Sequence, residues 1–459
     1  MRSRRDFLKT AAAGLAGLTV PYAFDIRALR AAAGVNRSSR HYIVESVDRV
    51  TLRVPFRPAP QRAMDRELPH WRYLEIFQVL LRSGVTGLGE TMLYYTWGRT
   101  SDTEVDRALG KNAVDLMWDD KLGAGLQIAL FDAVAKTAEV PVHRLLGRKI
   151  HDKTPLSWWN IDMAVEDMPG ECAEAYKQGY MSYKTKGRPW FDVWKQVEES
   201  AKVVPPEFKI DMDFNSSLLT AEKGMPIIKE LEKYPQIDIY ESPIPQGDVA
   251  GNKAITGATR VNIALHYGTP SPEVCVQEGC CDGFVVGGGA SSVMNQALFC
   301  AQVKMPFWLQ LVGSGITAAF SLHMGAVSDQ ARWPAVNCHQ LFTHSMLSQD
   351  IRVEDGFAKI PETPGLGYEL DRDAVEKFRV DMPKERPNPA RIVEVSWPDG
   401  RKMYFGAGRT NFMVALSGQP GNMPFYERGV DARLLPNDGS AEWRELYEKS
   451  REKPVMVKP

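Results

Sequence analysis

Two hydrophobic patterns divide the chain. Residues 41–56 and 71–90 alternate apolar with polar positions, as half-buried strands do, and the second stretch contains a turn. Residues 126–139 then repeat apolar positions at three- and four-residue spacing, and Pro141 ends that helical pattern. Antiparallel strands followed by helices predict an α+β domain over residues 41–150.

A different pattern begins near residue 155. Short apolar runs recur at intervals of roughly 20 to 28 residues, enough for one strand, one helix and two loops. We therefore predict an α/β fold, a (β/α) TIM-type barrel over residues 155–364 with the N-terminal α+β domain as its cap. Periodicity alone leaves an open, doubly wound sheet as the alternative. Residues 365–459 are predicted to return to the cap and continue as a C-terminal extension.

The first residues have the features of a targeting signal. Ser3-Arg4-Arg5-Asp6-Phe7-Leu8-Lys9 is a twin-arginine pattern, and a mildly apolar run and small residues follow it. Residues 1–33 are therefore predicted to be a twin-arginine signal peptide, which makes the protein periplasmic or otherwise exported through the twin-arginine pathway. The run is too short and too rich in Gly and Ala for a membrane span, and no later segment is long enough.

Composition narrows the range of partners. The formal net charge of −1 gives no electrostatic footprint for nucleic acid or an anionic membrane. Whatever the protein binds must therefore be recognised by local contacts, and we expect a small-molecule substrate and a homo-oligomer as the assembly. The six cysteines lack the spacing of a zinc site and are read as buried apolar residues: Cys172, Cys275, Cys280, Cys281, Cys300 and Cys338.

Candidate chemistry lies where three predicted strands end. Lys184 and Lys186 end one strand, Asp213 follows Lys186 by 27 residues, and Glu241 follows Asp213 by 28. Strand ends one repeat apart lie side by side on one barrel rim, where barrel active sites are found. Two adjacent carboxylates suit a hard divalent cation. A lysine that lies beside such a cation and beside a second lysine has its ammonium form disfavoured, so its free amine can act as a base. Solvated loop residues are the alternative interpretation.

The order of these motifs resembles the mandelate racemase/muconate lactonizing branch of the enolase superfamily. The resemblance covers nearly the whole chain after the signal. Its motifs are Lys184-Thr185-Lys186, Asp213 with Asn215, Tyr240-Glu241-Ser242-Pro243, Gly87-Leu88-Gly89-Glu90, residues 129–147, Gly288-Gly289-Ala290-Ser291, and residues 364–370.

The resemblance implies one type of chemistry: a base removes the proton α to a carboxylate, and Mg²⁺ stabilises the enediolate. It makes Asp213 and Glu241 metal ligands and Lys186 the base. Lys184 would contact the substrate carboxylate or the base.

The sequence departs from the family pattern in two places. Where a third acidic metal ligand belongs, the chain has His266 followed by Tyr267. Either His266 replaces the carboxylate, which would favour Zn²⁺ or Mn²⁺, or it only forms hydrogen bonds at the rim. On the opposite side, Gln310 stands where many relatives have a histidine. Thr343 or His344 replaces a glutamate.

With a base visible on one side only, we expect a lyase that eliminates water from a hydroxy acid, most plausibly a sugar acid. A cycloisomerase also needs only one base. A racemase or epimerase would need His344, His266 or Tyr267 as the second acid-base group. The non-enzyme alternative is a degenerate barrel that binds a small ligand. The expected substrate-binding residues are Tyr267, Gln310, His344, Trp159 and Asn215.

Overall fold

The computed structural model describes residues 39–95, 98–407, 413 and 423–458. The predicted signal peptide, residues 1–33, lies outside the described residues. Residues Tyr42–Pro459 form one compact unit. No helix in the described part of the chain is long and apolar enough to cross a membrane.

The N-terminal region is an antiparallel sheet covered by helices. Three strands pair in the order β1-β2-β3, and α4 packs on the sheet. Gly87 and Gly89 permit this close packing, because a Cβ atom there would lie 2.1 Å from Ala129 O and 2.0 Å from Gly125 O. The elements are β1 (Val44–Arg53), α1 (Pro58–Glu67), β2 (Tyr73–Leu81), β3 (Thr86–Met92), α2 (Asp102–Ala108), α3 (Ala113–Leu116), α4 (Ala124–Thr137) and α5 (His143–Leu146).

Alternating strands and helices follow, with parallel pairing from β4 through β10. These elements are β4 (Lys153–Trp159), α6 (Met168–Lys177), β5 (Ser182–Lys186), α7 (Val193–Ala201), β6 (Lys209–Asp213), α8 (Ala221–Leu231), β7 (Ile237–Glu241), α9 (Val249–Ala258), β8 (Asn262–His266), α10 (Pro272–Glu278), β9 (Gly283–Val286), α11 (Ala290–Val303), β10 (Phe307–Leu309), α12 (Gly315–Val327) and β11 (Ala335–Val336).

The two-residue strand β11 closes this sheet into a barrel. Ala335 and Val336 pair in parallel with β4, and Val336 also bridges to Gln310, directly after β10. The predicted TIM-type barrel with an N-terminal cap is therefore confirmed.

Carboxylates of the N-terminal region hold the barrel helices at their N-termini. Glu90 accepts hydrogen bonds from the backbone and hydroxyl of Ser314, just before α12. Asp120 accepts from the backbone N–H groups of Ser291 (3.0 Å) and Ser292 (2.8 Å) in the first turn of α11. Helix N-termini offer unpaired donors and partial positive charge. Since these helices begin after the carboxyl ends of their strands, the N-terminal region lies over that rim.

The chain after the barrel first contacts the N-terminal region. Leu366 N donates to Asp132 at 2.7 Å, and Gly365 N donates to Val140 O at 3.0 Å. A separate four-stranded antiparallel sheet in the order β16-β14-β15-β17, called here the C-terminal sheet, follows. The elements are β12 (Val353–Glu354), β13 (Phe357–Lys359), α13 (Arg372–Phe378), β14 (Ile392–Ser396), β15 (Lys402–Gly406), β16 (Asp431–Leu435), α14 (Ala441–Glu452) and β17 (Val455–Val457).

Buried His323 is expected to make stability depend on acid pH. Its Nδ1 lies 3.3 Å from His143 N, and its Nε2 lies 3.1 Å from Leu366 O. Burial lowers the pKa of His323 from 6.5 to about 4. Between these two values the unfolded chain binds a proton that the folded chain does not. The free energy of unfolding should therefore fall by roughly 3 kcal/mol as pH drops from 6.5 to 4.

The measurement compares His323→Gln with the unchanged protein by urea unfolding from pH 7 to pH 4. Gln cannot titrate, so the variant should lose less stability over this range. His151→Gln is the matched control, because it also removes an imidazole that contacts a backbone carbonyl, Ser328 O. If the unchanged protein and both variants lose the same amount of stability as pH falls, the expectation is contradicted.

Candidate active site

The two lysines that end β5 have different surroundings. Lys184 is 1% exposed, contacts Glu241, donates to Gln310 Oε1 at 3.0 Å and lies 4.4 Å from the centre of the Trp308 ring. Lys186 contacts Asp213 and keeps 14% of its side chain exposed. Both lie at the end of β5, and Lys186 is the more exposed of the two.

Glu241 is a fully enclosed charge with two cationic neighbours. Its side chain is 1% exposed, and it contacts Lys184 on one oxygen and His266 Nε2, at 2.8 Å, on the other. Burial by itself would raise the pKa of Glu241. The charges of Lys184, His266 and Lys186 outweigh burial and hold that pKa below its usual range. Glu241 is therefore a carboxylate at neutral pH.

Asp213 is held by the loop that follows β6. Asn215 N donates to its Oδ1 at 2.7 Å, and Arg188 donates to Asp213 O at 3.3 Å and to the side-chain oxygen of Asn215. Asn215 and Ser216 have φ values of 44° and 69°, in the left-handed region that non-glycine residues seldom adopt. Asn215, predicted to bind substrate, thus orients Asp213 in this structure.

Aromatic residues of the cap contact barrel residues that lie across the site from the loop after β6. Trp159, at the end of β4, stacks on Trp71 with ring centres 5.5 Å apart, and Trp71 meets Tyr95 edge-on. Tyr95 Oη lies 3.5 Å from Gln310 Nε2. The predicted residues Trp159 and Gln310 therefore lie in one continuous set of contacts that ends at Lys184. Sequence reasoning missed the contributions of Trp71 and Tyr95.

Two other predicted substrate-binding residues lie elsewhere. The Tyr267 ring packs edge-on against Phe284 and Phe299, because this side chain lies toward the helix behind β9.

His344 lies 3.3 Å from Asp371 at the start of α13, and its Nδ1 accepts from Met346 N. The eighth strand already ends at Val336, so His344 is too far along the chain to occupy that strand's end. The structure gives neither Tyr267 nor His344 a contact with Lys186.

Two buried residues near the lysines were not singled out from the sequence. Asp211, paired in register with Lys184, has its pKa raised well above the usual range, first by burial and then by Asp238. Both causes favour its protonated form. Burial likewise raises the pKa of Cys338, while the nearby charges of Lys184 and Lys186 act in the opposite direction. Cys338 follows β11, so its position at a strand end was the signal available. All six cysteines are buried and free, as predicted.

The predicted metal ligands take a different arrangement from the expected three-ligand centre. Asp213 and Glu241 are register partners on β6 and β7. His266, however, bonds to Glu241, and each carboxylate contacts a lysine. Among the described residues, no group of three His, Cys, Asp or Glu side chains is placed to hold a metal ion.

The donor set nevertheless fits a divalent cation by its chemistry. Two buried carboxylates on adjacent strands suit Mg²⁺, and an added imidazole suits Mn²⁺ or Zn²⁺. A bound ion would have to displace the ammonium contacts of Lys184 and Lys186.

Comparison with known proteins supports the resemblance seen in the sequence. Residues 167–374 match the family described as "Enolase C-terminal domain-like". The o-succinylbenzoate synthase of Bacillus subtilis (strain 168) is 24% identical over 276 residues, which is 56% of this chain and 71% of the relative. The D-xylonate dehydratase of Haloferax volcanii is 23% identical over 363 residues, 67% of this chain and 85% of the relative.

A solved structure agrees with the fold. The muconate cycloisomerase of Pseudomonas fluorescens superimposes with a TM-score of 0.60 at 20% identity, covering 74% of this chain and 99% of that chain. Family likeness and architecture therefore point to the same superfamily.

Proposed function

Because residues 167–374 belong to the enolase C-terminal domain-like family, we propose that the protein is a lyase that dehydrates a hydroxylated carboxylic acid, a sugar acid. The observation that carries the proposal is the contrast between exposed Lys186 and enclosed Lys184 at one rim. A base is thus available on one side of the site. On the opposite side, Gln310 has no basic group, and His344 lies elsewhere. The name of the Haloferax volcanii relative, a D-xylonate dehydratase, favours the same reaction.

In the proposed reaction the free amine of Lys186 takes the proton α to the substrate carboxylate. The electron pair of that C–H bond moves into the carboxylate, and the positive charge of Lys184 opposes the negative charge that develops. The ammonium of Lys186 then returns its proton to the β-hydroxyl, which leaves as water on the same face. The enol product tautomerises to a 2-oxo acid. One base suffices for this sequence.

Asp213 and Glu241, with His266, would hold the divalent ion of this family. When bound, it would act as a Lewis acid that lowers the energy of the enediolate. Trp71 and Tyr95 pack over the rim beside Trp159, and in the proposed reaction they would keep water from the charges beneath them.

The test is incubation of metal-loaded protein in D₂O with D-xylonate, N-succinyl-L-arginine and muconate, followed by NMR. Loss of the α-proton of D-xylonate together with a 2-oxo acid product supports the proposal. Exchange with inversion at the α-carbon, without product, would favour the racemase reading. Saturable binding with no exchange of any of the acids would favour a degenerate, non-catalytic barrel.

The donor set predicts an order of metal affinity. Mn²⁺ and Zn²⁺ should raise the thermal midpoint at lower concentration than Mg²⁺, because imidazole favours later metals and binding to the folded state stabilises it. Asp213→Asn should weaken the response to each ion. Asp399→Asn, in a remote turn and paired with Arg401, is the control that should respond as the unchanged protein does. Equal affinity for Mg²⁺ and Mn²⁺ would remove His266 from the ligand set.

A further inference from the structure

The C-terminal sheet packs on the loop that follows Lys186. Trp190 and Phe191 share a buried apolar cluster with Val393, Val395 and Phe405 of that sheet. The backbone joins the same parts, since Asp192 N donates to Val430 O at 3.0 Å and Gly429 N donates to the Asp192 carboxylate at 2.7 Å. The sheet lies beyond residues 167–374, so the matched family region does not include it.

One side chain from this part of the chain reaches the rim loops themselves. Tyr426 is 8% exposed and donates from Oη to Gly187 O at 3.0 Å. Its Oη also lies 2.6 Å from Ser217 Oγ, and its ring contacts Phe214 edge-on. Gly187 directly follows Lys186, while Phe214 directly follows Asp213.

We propose that Tyr426 is a positioning residue for Lys186 and Asp213: its hydroxyl joins the loops after β5 and β6 and fixes both side chains relative to each other. The inference rests on the proposed function, in which Lys186 is the base. It adds a role for the C-terminal sheet, which holds a part of the barrel rim in place.

Two hydroxyls can serve the buried carbonyl of Gly187. Tyr426 Oη lies 3.0 Å from Gly187 O, and Ser217 Oγ lies 3.2 Å from it. Ser217 Oγ also lies 2.5 Å from Phe214 O, but that carbonyl accepts from Ser217 N at 3.0 Å as well. If Tyr426 is lost, the Ser217 hydrogen can therefore turn to Gly187 O. If both hydroxyls are lost, Gly187 O keeps neither donor, and leaving a buried acceptor unpaired is costly.

Backbone strain makes this support necessary. Asn215 and Ser216 both have positive φ in the loop that the two hydroxyls hold. Residues keep such conformations where surrounding contacts hold them in place. Gly187 N donates to Asp213 O at 2.9 Å, so displacement of one loop also displaces the other. Loss of the hydroxyl network should therefore change Lys186 as well as Asp213.

The experiment measures lysine acetylation by a pulse of acetic anhydride and backbone amide exchange in D₂O, both read by mass spectrometry. The variants are Tyr426→Phe, Ser217→Ala and their combination. Tyr447→Phe is the matched control, because the Tyr447 hydroxyl, on α14, donates to Ala407 O at 3.0 Å directly after β15. All proteins carry the full chain and the same metal.

The double variant should acetylate Lys186 about two- to ten-fold faster, the effect of losing one to two hydrogen bonds, with Lys184 unchanged. Amide exchange should rise in peptides spanning 187–192 and 214–217. Each single variant should show less than half of this effect, because the hydroxyl that remains can still donate to Gly187 O.

Equal acetylation of Lys186 in the double variant and in Tyr447→Phe would overturn the proposal. So would a rise shared by all lysines, which indicates general loosening. These readouts use no substrate, so a failed positioning role is distinguished from a failed dehydratase assignment.

Discussion

Replacing Lys186 with Met is expected to lower the rate of α-proton exchange on the order of 10²–10⁴-fold. Met keeps much of the side-chain volume but removes the more exposed of the two amines that the described structure places at the end of β5. Loss of a positioned base typically costs this factor. Because the base acts in the transition state, kcat should fall together with kcat/KM. The measurement is the NMR rate of α-proton loss in D₂O from the acid that the panel identifies.

Two observations make the result specific. Lys195→Met, on the exposed face of α7, is the control and should exchange at the unchanged rate. Exchange and product formation should also disappear together in Lys186→Met, because one base serves both steps. Exchange that persists without product would place a second base opposite Lys186 and favour the racemase reading.

The repeated strands and helices of the barrel were predictable from the sequence, but the closure of its sheet was not. Apolar runs spaced by one strand and one helix indicated seven strands, and each of them forms. The choice between a barrel and an open sheet depends on Ala335 and Val336, a strand of two residues. Two residues carry no periodicity, and only their pairing with β4 and the bridge to Gln310 shows that the sheet closes.

The strand-end residues were predictable for a related reason. Alternation along β5 places Lys184 and Lys186 on one face, and a single repeat brings Asp213 and Glu241 beside them. Trp71 and Tyr95 were not predictable, because they come from the cap and approach only after both regions fold.

His344 was misplaced by counting through the irregular chain after β11. That segment contains a left-handed residue, Cys338, and a short 3₁₀ turn, so residue spacing there does not report position in space. The strand end itself lies nearer Cys338.

Charge balance at the rim links function to stability. Lys184 and Glu241 are each 1% exposed and contact one another, while Lys186 and Asp213 form a second pair. A buried charge without a partner is far more costly than a buried pair. The Lys184–Glu241 pair should therefore be sensitive to removal of one member, whatever the substrate is.

Glu241→Gln is expected to lower the free energy of unfolding by about 3–5 kcal/mol, the usual cost of breaking a buried ion pair. Gln keeps the shape but removes the negative charge beside the ammonium of Lys184, whose other contacts in the described part of the chain are neutral, to Gln310 and the Trp308 ring. Urea unfolding at pH 7 measures the change. The loss should shrink below about pH 4.5, where the unfolded carboxyl binds a proton before the folded one, whose pKa is held low.

Glu394→Gln is the matched control for this prediction. Its carboxylate is just as buried, at 3% exposure, but its partners Lys402 and Arg433 are 43% and 68% exposed and regain water when it is lost. That variant should cost about 1 kcal/mol or less. The combination Lys184→Met with Glu241→Gln should recover most of the stability, because no unpaired charge then remains buried. If the double variant is as unstable as Glu241→Gln alone, the loss arises from altered packing of the rim, and the ion pair is not its cause.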